Sequence, residues 1–145
     1  MSLPEFDNLG NLPVGVHRAS LDEVIARFGQ GTSQRRLVTK NLTRIYELVG
    51  KTSKLKRFII FGSYVTTKAD PNDVDIILIM HDDFTQDECA VEARPLFDHL
   101  RAQQEFGASV FAIRSSQILL ETVDSFVAHW QIRRDKGRRG IVEVV

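Results

Sequence analysis

Two short, unbroken apolar runs limit most tightly what this chain can become: Phe58-Ile-Ile-Phe61 and Ile76-Ile-Leu-Ile-Met80, separated by a polar stretch rich in turn formers. Runs of this length, rich in β-branched residues, suit strands buried on both faces and are too short for a packed helix. Such strands need cover on each side, and the flanking sequence is patterned to supply helices. Ser20-Leu-Asp-Glu23 is a capping-box pattern, followed by Leu21, Val24, Ile25 and Phe28 on one helical face and Gly29 at the stop. Ser33 caps a second expected helix, in which Leu37, Leu42, Ile45, Leu48 and Val49 follow helical spacing up to Gly50. Arg35, Arg36, Lys40 and Arg44 fall on its outer faces.

The second strand is expected from about Asp73 to Met80. Thr85 and Glu88 then repeat the capping pattern, predicting a helix to about Gln104 that Pro95 kinks or breaks. Ala108 to Ile113 reads as a third strand, and Ser115 or Ser116 begins a last long helix through Ile118, Leu119, Val123, Phe126, Val127 and Trp130. The basic stretch RRDKGRRG leads into IVEVV, whose β-branched residues predict a short terminal strand. Strands and helices alternate without a repeat, which predicts a small α/β or α+β fold, a mixed sheet flanked by helices. At 145 residues the chain is expected to form a single domain over 1–145, with an N-terminal arm (1–19) packing over it and a basic loop and terminal strand (131–145) closing it.

Charge and cysteine content narrow the function classes. Nineteen basic residues balance nineteen acidic ones, so no global field draws the protein onto nucleic acid or anionic lipid. The single cysteine, Cys89, has no internal partner and reads as a small buried hydrophobe. The opening MSLPEFDNLG lacks the basic and apolar blocks of a signal peptide, and no apolar run approaches the roughly 18 residues that suggest a membrane span. A cytoplasmic protein without a membrane partner is the expectation.

Against this background Asp73 and Asp75 stand out at the entrance of a buried strand. Residues i and i+2 of a strand share a face, and two carboxylates about 6 Å apart repel by about 3 kcal/mol at an effective dielectric near 20. A divalent cation would relieve that repulsion, and converging hard oxygens with room for water and phosphate describe a magnesium site. The plainer account ends the turn at Asp73 and points Asp75 to solvent. Gly62-Ser63, directly after the first strand and before a short segment, Tyr64 to Ala69, with room for a turn or two of helix, shifts the balance. Backbone N–H groups at such a junction, with a serine hydroxyl and no glycine side chain, form an anion cradle.

In this order and spacing, Gly62-Ser63, nine residues, then Asp73-Val-Asp75, the sequence resembles the signature of the nucleotidyltransferases of the DNA polymerase beta superfamily, especially its minimal members. The segments LPVGVHRASLDEVIARFG, FGSYVTTKADPNDVDIILIM and RRDKGRRGIVEVV extend the resemblance over nearly the whole chain, to small bacterial proteins grouped with that superfamily. The resemblance implies a polymerase-beta-type fold with its site at one end of the sheet. It implies two Mg2+ ions held by Asp73 and Asp75, a nucleoside triphosphate gripped at Gly62 and Ser63, and transfer of a nucleoside monophosphate to a hydroxyl. Lys68 lies between cradle and dyad and is a phosphate candidate, with an exposed helix lysine as the plainer account.

The superfamily also implies a third carboxylate on a neighbouring strand, but Ala108-Ser-Val-Phe-Ala-Ile113 contains no acid, and Ser109 stands about where one would look. Glu143 and Glu105 are the candidates to replace it; otherwise the acceptor-side metal is weak. A chain this short lacks an acceptor-holding helical domain, so the acceptor implied is a protein or RNA, and toxin–antitoxin or phage-defence pairs are the analogous setting. The alternative is a catalytically weak or inactive nucleotide-binding module, antitoxin-like, with a cognate toxin as partner. A nucleic-acid binder using the basic loop is the third reading. Arg133, Arg134, Lys136, Arg138 and Arg139 suit either a phosphate clamp or a solvated loop. Trp130 reads as core with base stacking as the lesser option, and His17, His81, His99 and His129 show no ligand spacing.

Overall fold

The computed structural model describes residues 3–145; the first two residues of the expected arm and domain lie outside it. Five strands form one mixed sheet: β1 (Val16–Ala19), β2 (Leu55–Phe61), β3 (Val74–Met80), β4 (Ala108–Arg114) and β5 (Ile141–Val144), in the order β1-β5-β2-β3-β4. Four α-helices flank it: α1 (Leu21–Phe28), α2 (Ser33–Gly50), α3 (His99–Phe106) and α4 (Val123–His129). The expected mixed sheet with helices on it is therefore the architecture found.

The apolar runs explain the centre. In β3, Ile76, Ile77, Leu78, Ile79 and Met80 are all buried, because alternate side chains enter two different cores. Phe58, Ile60, Ile76 and Leu78 face α1, α2, α3 and the segment before α3, whereas Ile59, Ile77, Ile79 and Ile141 face Val127 and the flanks of α4. Each such side chain contributes about 1.5–3 kcal/mol relative to exposure. Helix α4 has only seven residues. It covers part of its face of the sheet and leaves the rest open, which is where the site lies.

Local signals set several boundaries. The Ser20 hydroxyl accepts from Glu23 N–H and the Glu23 carboxylate answers to Ser20 N–H, so the capping box forms. Thr32, one residue earlier than expected, caps α2 through Arg35 N–H. Gly107 adopts φ 60°, a left-handed cap that reverses the chain tightly from α3 into β4.

Other expectations are corrected. No helix runs from Thr85 to Gln104: Thr85 makes no cap bond, and the segment forms 3-10 turns at Gln86–Glu88 and Val91–Phe97 before Asp98 caps α3 through Arg101 N–H. Pro95, which donates no N–H, lies inside the second of these and disfavours an α-helical ladder there. The last helix does not begin at Ser115 or Ser116. Asp82 holds both serines in a 3-10 turn, Leu119 and Leu120 are exposed, and α4 starts only where Thr122 accepts from Ser125 N–H. The segment after Gly62-Ser63 is a single 3-10 turn, Ser63–Val65.

Leu37 is exposed while Arg35 is buried, the reverse of the expected assignment on α2. The expected arm ends in β1, and the strand expected at the terminus is inserted between β1 and β2 with every residue buried. The arm packs: Leu12 is buried, its carbonyl accepts from Gly140 N–H, and Gly10 accepts from Thr67 N–H. Among the described residues no helix is long and apolar enough to cross a membrane.

Candidate functional site

Strand β2 runs antiparallel to β3, and β4 runs parallel to β3, so the end of β2 and the starts of β3 and β4 coincide. Phe61 pairs with Asp75, and Asp75 pairs with Ser109, in one row across three strands. That row faces the side only partly covered by α4. Asp73 precedes β3 by one residue, and its Oδ2 accepts the Ser109 hydroxyl at 3.0 Å. The two aspartates therefore converge on one serine.

Gly62 follows β2 with φ 82° and ψ −163°, a conformation open to glycine and strained for other residues. A Cβ there would also collide with Asp75 Oδ2. The glycine thus allows the turn backbone to lie directly against the carboxylate. Ser63 begins the 3-10 turn beside it.

The electrostatics follow from this crowding. Burial, then the neighbouring Asp73 charge, push the Asp75 carboxyl up to about 6, against the opposing effects of Ser109, Arg139 and Arg134. The Arg139 guanidinium is itself moved down, by burial and by the adjacent Arg133, while Asp75 and Asp135 act the other way. Arg134 and Arg139 of the stretch RRDKGRRG thus lie near Asp75. Arg133 N–H donates to Gly137 at 2.7 Å, Arg139 N–H to Gln131 at 3.0 Å, and Ile132 bridges Arg138, which makes the stretch a closed turn.

One cleft of about 690 Å³ joins these groups. It is lined by Gly62, Ser63, Asp75 and Ser109, by Arg133, Arg134 and Arg139, and by the rings of Phe61, Phe111, Trp130 and His99. Its size lies within the range usual for small-molecule sites. Ring centroids are 4.9 Å apart for Phe61 and Trp130, 5.5 Å for Phe111 and Trp130, and 4.7 Å for His99 and Phe111.

Gly62, Ser63 and Asp75 thus meet in the cleft, with Asp73 joined through Ser109. Lys68 is exposed and outside the cleft lining; its N–H donates to Thr66 Oγ1 and its carbonyl accepts from Arg35. Glu143 is not brought to the aspartates. On β5 it pairs with Ile59 of β2, and its two oxygens bind Arg57 Nε at 3.0 Å and a terminal nitrogen at 2.7 Å. Arg57 also holds Asp124 at the start of α4, which makes the trio a clasp between helix and sheet. Glu105, the other candidate, is exposed and 3.4 Å from Arg101 on the same helix.

Among the described residues no three His, Cys, Asp or Glu side chains group so as to hold a metal. The donor set here is two carboxylates and a hydroxyl, all hard oxygen ligands. Oxygen donors of this kind are those that magnesium takes, with water filling the rest of its shell.

Phe61 and Phe111 were missed in the sequence as parts of the site, while Trp130 was read as core with base stacking as the lesser option and His99 as a histidine without ligand spacing. The available signal was the period of β4, which puts Ser109 and Phe111 on one face. Arg35 was missed as a positioning residue. Its guanidinium is buried and donates to the carbonyls of Phe28, Tyr64, Thr66 and Lys68, so it clamps the segment that follows the Gly-Ser turn.

The fold is a generic α+β sheet-and-helix arrangement with a cleft lined by carboxylate, hydroxyl, guanidinium and aromatic groups at one end of its central strands. The chain belongs to a family of unknown function (DUF6932), whose profile matches residues 4–145. No match was found among curated proteins or among solved structures.

Proposed function

We propose that the protein is a magnesium-dependent nucleotidyltransferase of the DNA polymerase beta type, moving a nucleoside monophosphate from a triphosphate to a hydroxyl of a protein or RNA acceptor. The observation that supports this reading most is the meeting of Gly62, Ser63, Asp75 and three arginines in one cleft, with Asp73 tied to it through Ser109. Asp73 and Asp75 would hold the divalent cations. The Gly62-Ser63 backbone and the Ser63 hydroxyl would hold the outer phosphates, with Arg133, Arg134 and Arg139 balancing their charge. Bound magnesium would supply charge neutralisation of the triphosphate and a lowered pKa for the acceptor hydroxyl. By analogy alone, a toxin–antitoxin or phage-defence pair is the setting, with a cognate toxin as one protein partner and the cytoplasm as its location.

A second reading has its own observation. The strand beside β3 offers Ser109 where the resemblance implies a third carboxylate, and Glu143 is held by Arg57. That favours a nucleotide-binding module with weak turnover or none.

The test is calorimetric titration of each nucleoside triphosphate with and without Mg2+, in the native protein and in Asp73→Asn/Asp75→Asn. Magnesium-dependent binding lost in the double variant supports the site; no binding in either protein sinks both readings. Incubation with α-labelled triphosphate and a cell extract then separates them. Label transferred to protein or RNA, and absent with the double variant, marks the enzyme; binding without transfer marks the module.

A further inference from the structure

Resting on that triphosphate reading, we infer that the aromatic side of the cleft is a nucleobase platform that holds the base by its face and discriminates little among the four bases. Phe61, Phe111 and Trp130 form one continuous surface, with centroids 4.9, 5.5 and 6.4 Å apart. Phe111 lies on an edge strand and, although His99 and Trp130 lie against it, keeps 40% of its surface exposed. The same cleft carries Gly62-Ser63 and the arginines. A ligand filling it therefore meets both cationic side chains and flat apolar faces, as the phosphates and base of a nucleotide would.

Base selectivity is a separate property, because a site rejects a wrong base strongly only through polar groups that would be left unpaired. The polar side chains beside the rings are already engaged in part, each through bonds to the backbone. Gln131 accepts from Gly15 N–H through Oε1 and donates through Nε2 to the Ala128 carbonyl at 3.2 Å. His99 lies against Phe111, with Nδ1 3.3 Å from the Val110 carbonyl. Stacking tolerates any base, since every base has a π-face.

The chain contains one tryptophan, so emission from Trp130 reports on this platform alone. ATP, GTP, CTP and UTP with Mg2+ should each change that emission, with dissociation constants within about tenfold of one another. Inorganic tripolyphosphate should compete at the phosphate end, bind ~10-fold more weakly and leave the emission unchanged. Phe111→Ala, at a half-exposed edge position that keeps the reporter, should narrow the gap between nucleotides and tripolyphosphate. Trp130→Ala should do the same by calorimetry.

Tripolyphosphate binding as tightly as the nucleotides, or nucleotide binding with no change in emission, would overturn the platform while leaving the triphosphate site standing. Preference for one base beyond about tenfold would overturn the face-only recognition. If neither tripolyphosphate nor any nucleotide binds, the functional reading and this inference fall together.

Discussion

Gly62 lies so close to Asp75 that a single added methyl group on the glycine would collide with the carboxylate. This contact joins the anion cradle to the acidic pair. It also ties a residue at the end of β2 to one at the start of β3 through the antiparallel register, in which Phe61 faces Asp75.

Replacing that glycine should therefore be costly in two ways. Gly62→Ala forces an L-residue to φ 82° and adds the collision, for a loss of about 1–3 kcal/mol and several degrees in Tm. Because part of the loss is steric, Asp75→Ala in the same chain should recover some of it. A double-mutant cycle by urea denaturation measures the coupling.

Asp75 should make stability pH-dependent. Its folded pKa, about 6, lies above the ordinary value of 3.8, so the folded state binds more protons than the unfolded state between these limits. Stability then falls as pH rises through this window and stays lower above it. After allowance for the partial exposure of the carboxyl, the change is about 1–2 kcal/mol. Asp75→Asn should stabilise the ligand-free protein by that amount at pH 7.5 and leave it nearly unchanged at pH 4, as read from urea midpoints across the range.

Arg35 should be irreplaceable by lysine. Its fork donates to four carbonyls, and a lysine ammonium has three donors without the fork geometry. Arg35→Ala leaves buried carbonyls unpaired at about 1–3 kcal/mol each, partly relieved by entering water. Arg35→Lys should restore less than half of the loss in chemical denaturation, and both variants should loosen hydrogen-exchange protection around Tyr64 to Lys68.

Glu143 offers a test of structural against metal-binding roles. Glu143→Gln weakens the pair of hydrogen bonds that it accepts from Arg57 and should cost about 1.5–3 kcal/mol in stability. Magnesium-dependent nucleotide affinity should change less than about twofold at a temperature where the variant is folded. A large loss of affinity with intact stability would return Glu143 to the metal site.

The parts legible in the sequence are those set by neighbours along the chain. The apolar runs announced β2 and β3, Ser20 and Glu23 announced α1, and the spacing from Gly62-Ser63 to Asp73-Val-Asp75 needed only one antiparallel pairing to bring its ends together. Capping patterns misled at Thr85 and Ser115, where Pro95 and the contact with Asp82 govern the backbone. The rest depended on contacts between distant residues. Glu143 is taken by Arg57, 86 positions away, and Gln131 by Gly15, 116 positions away. Likewise, β5 becomes an interior strand, Arg35 turns inward to four carbonyls, and Trp130 joins Phe61 and Phe111 in the cleft. Local pattern determined β2, β3, β4, α1 and which acids stand at the start of β3, because those follow from periodicity and short-range hydrogen bonds. The tertiary structure alone decided which charge meets which, because burial and pairing are properties of the assembled sheet.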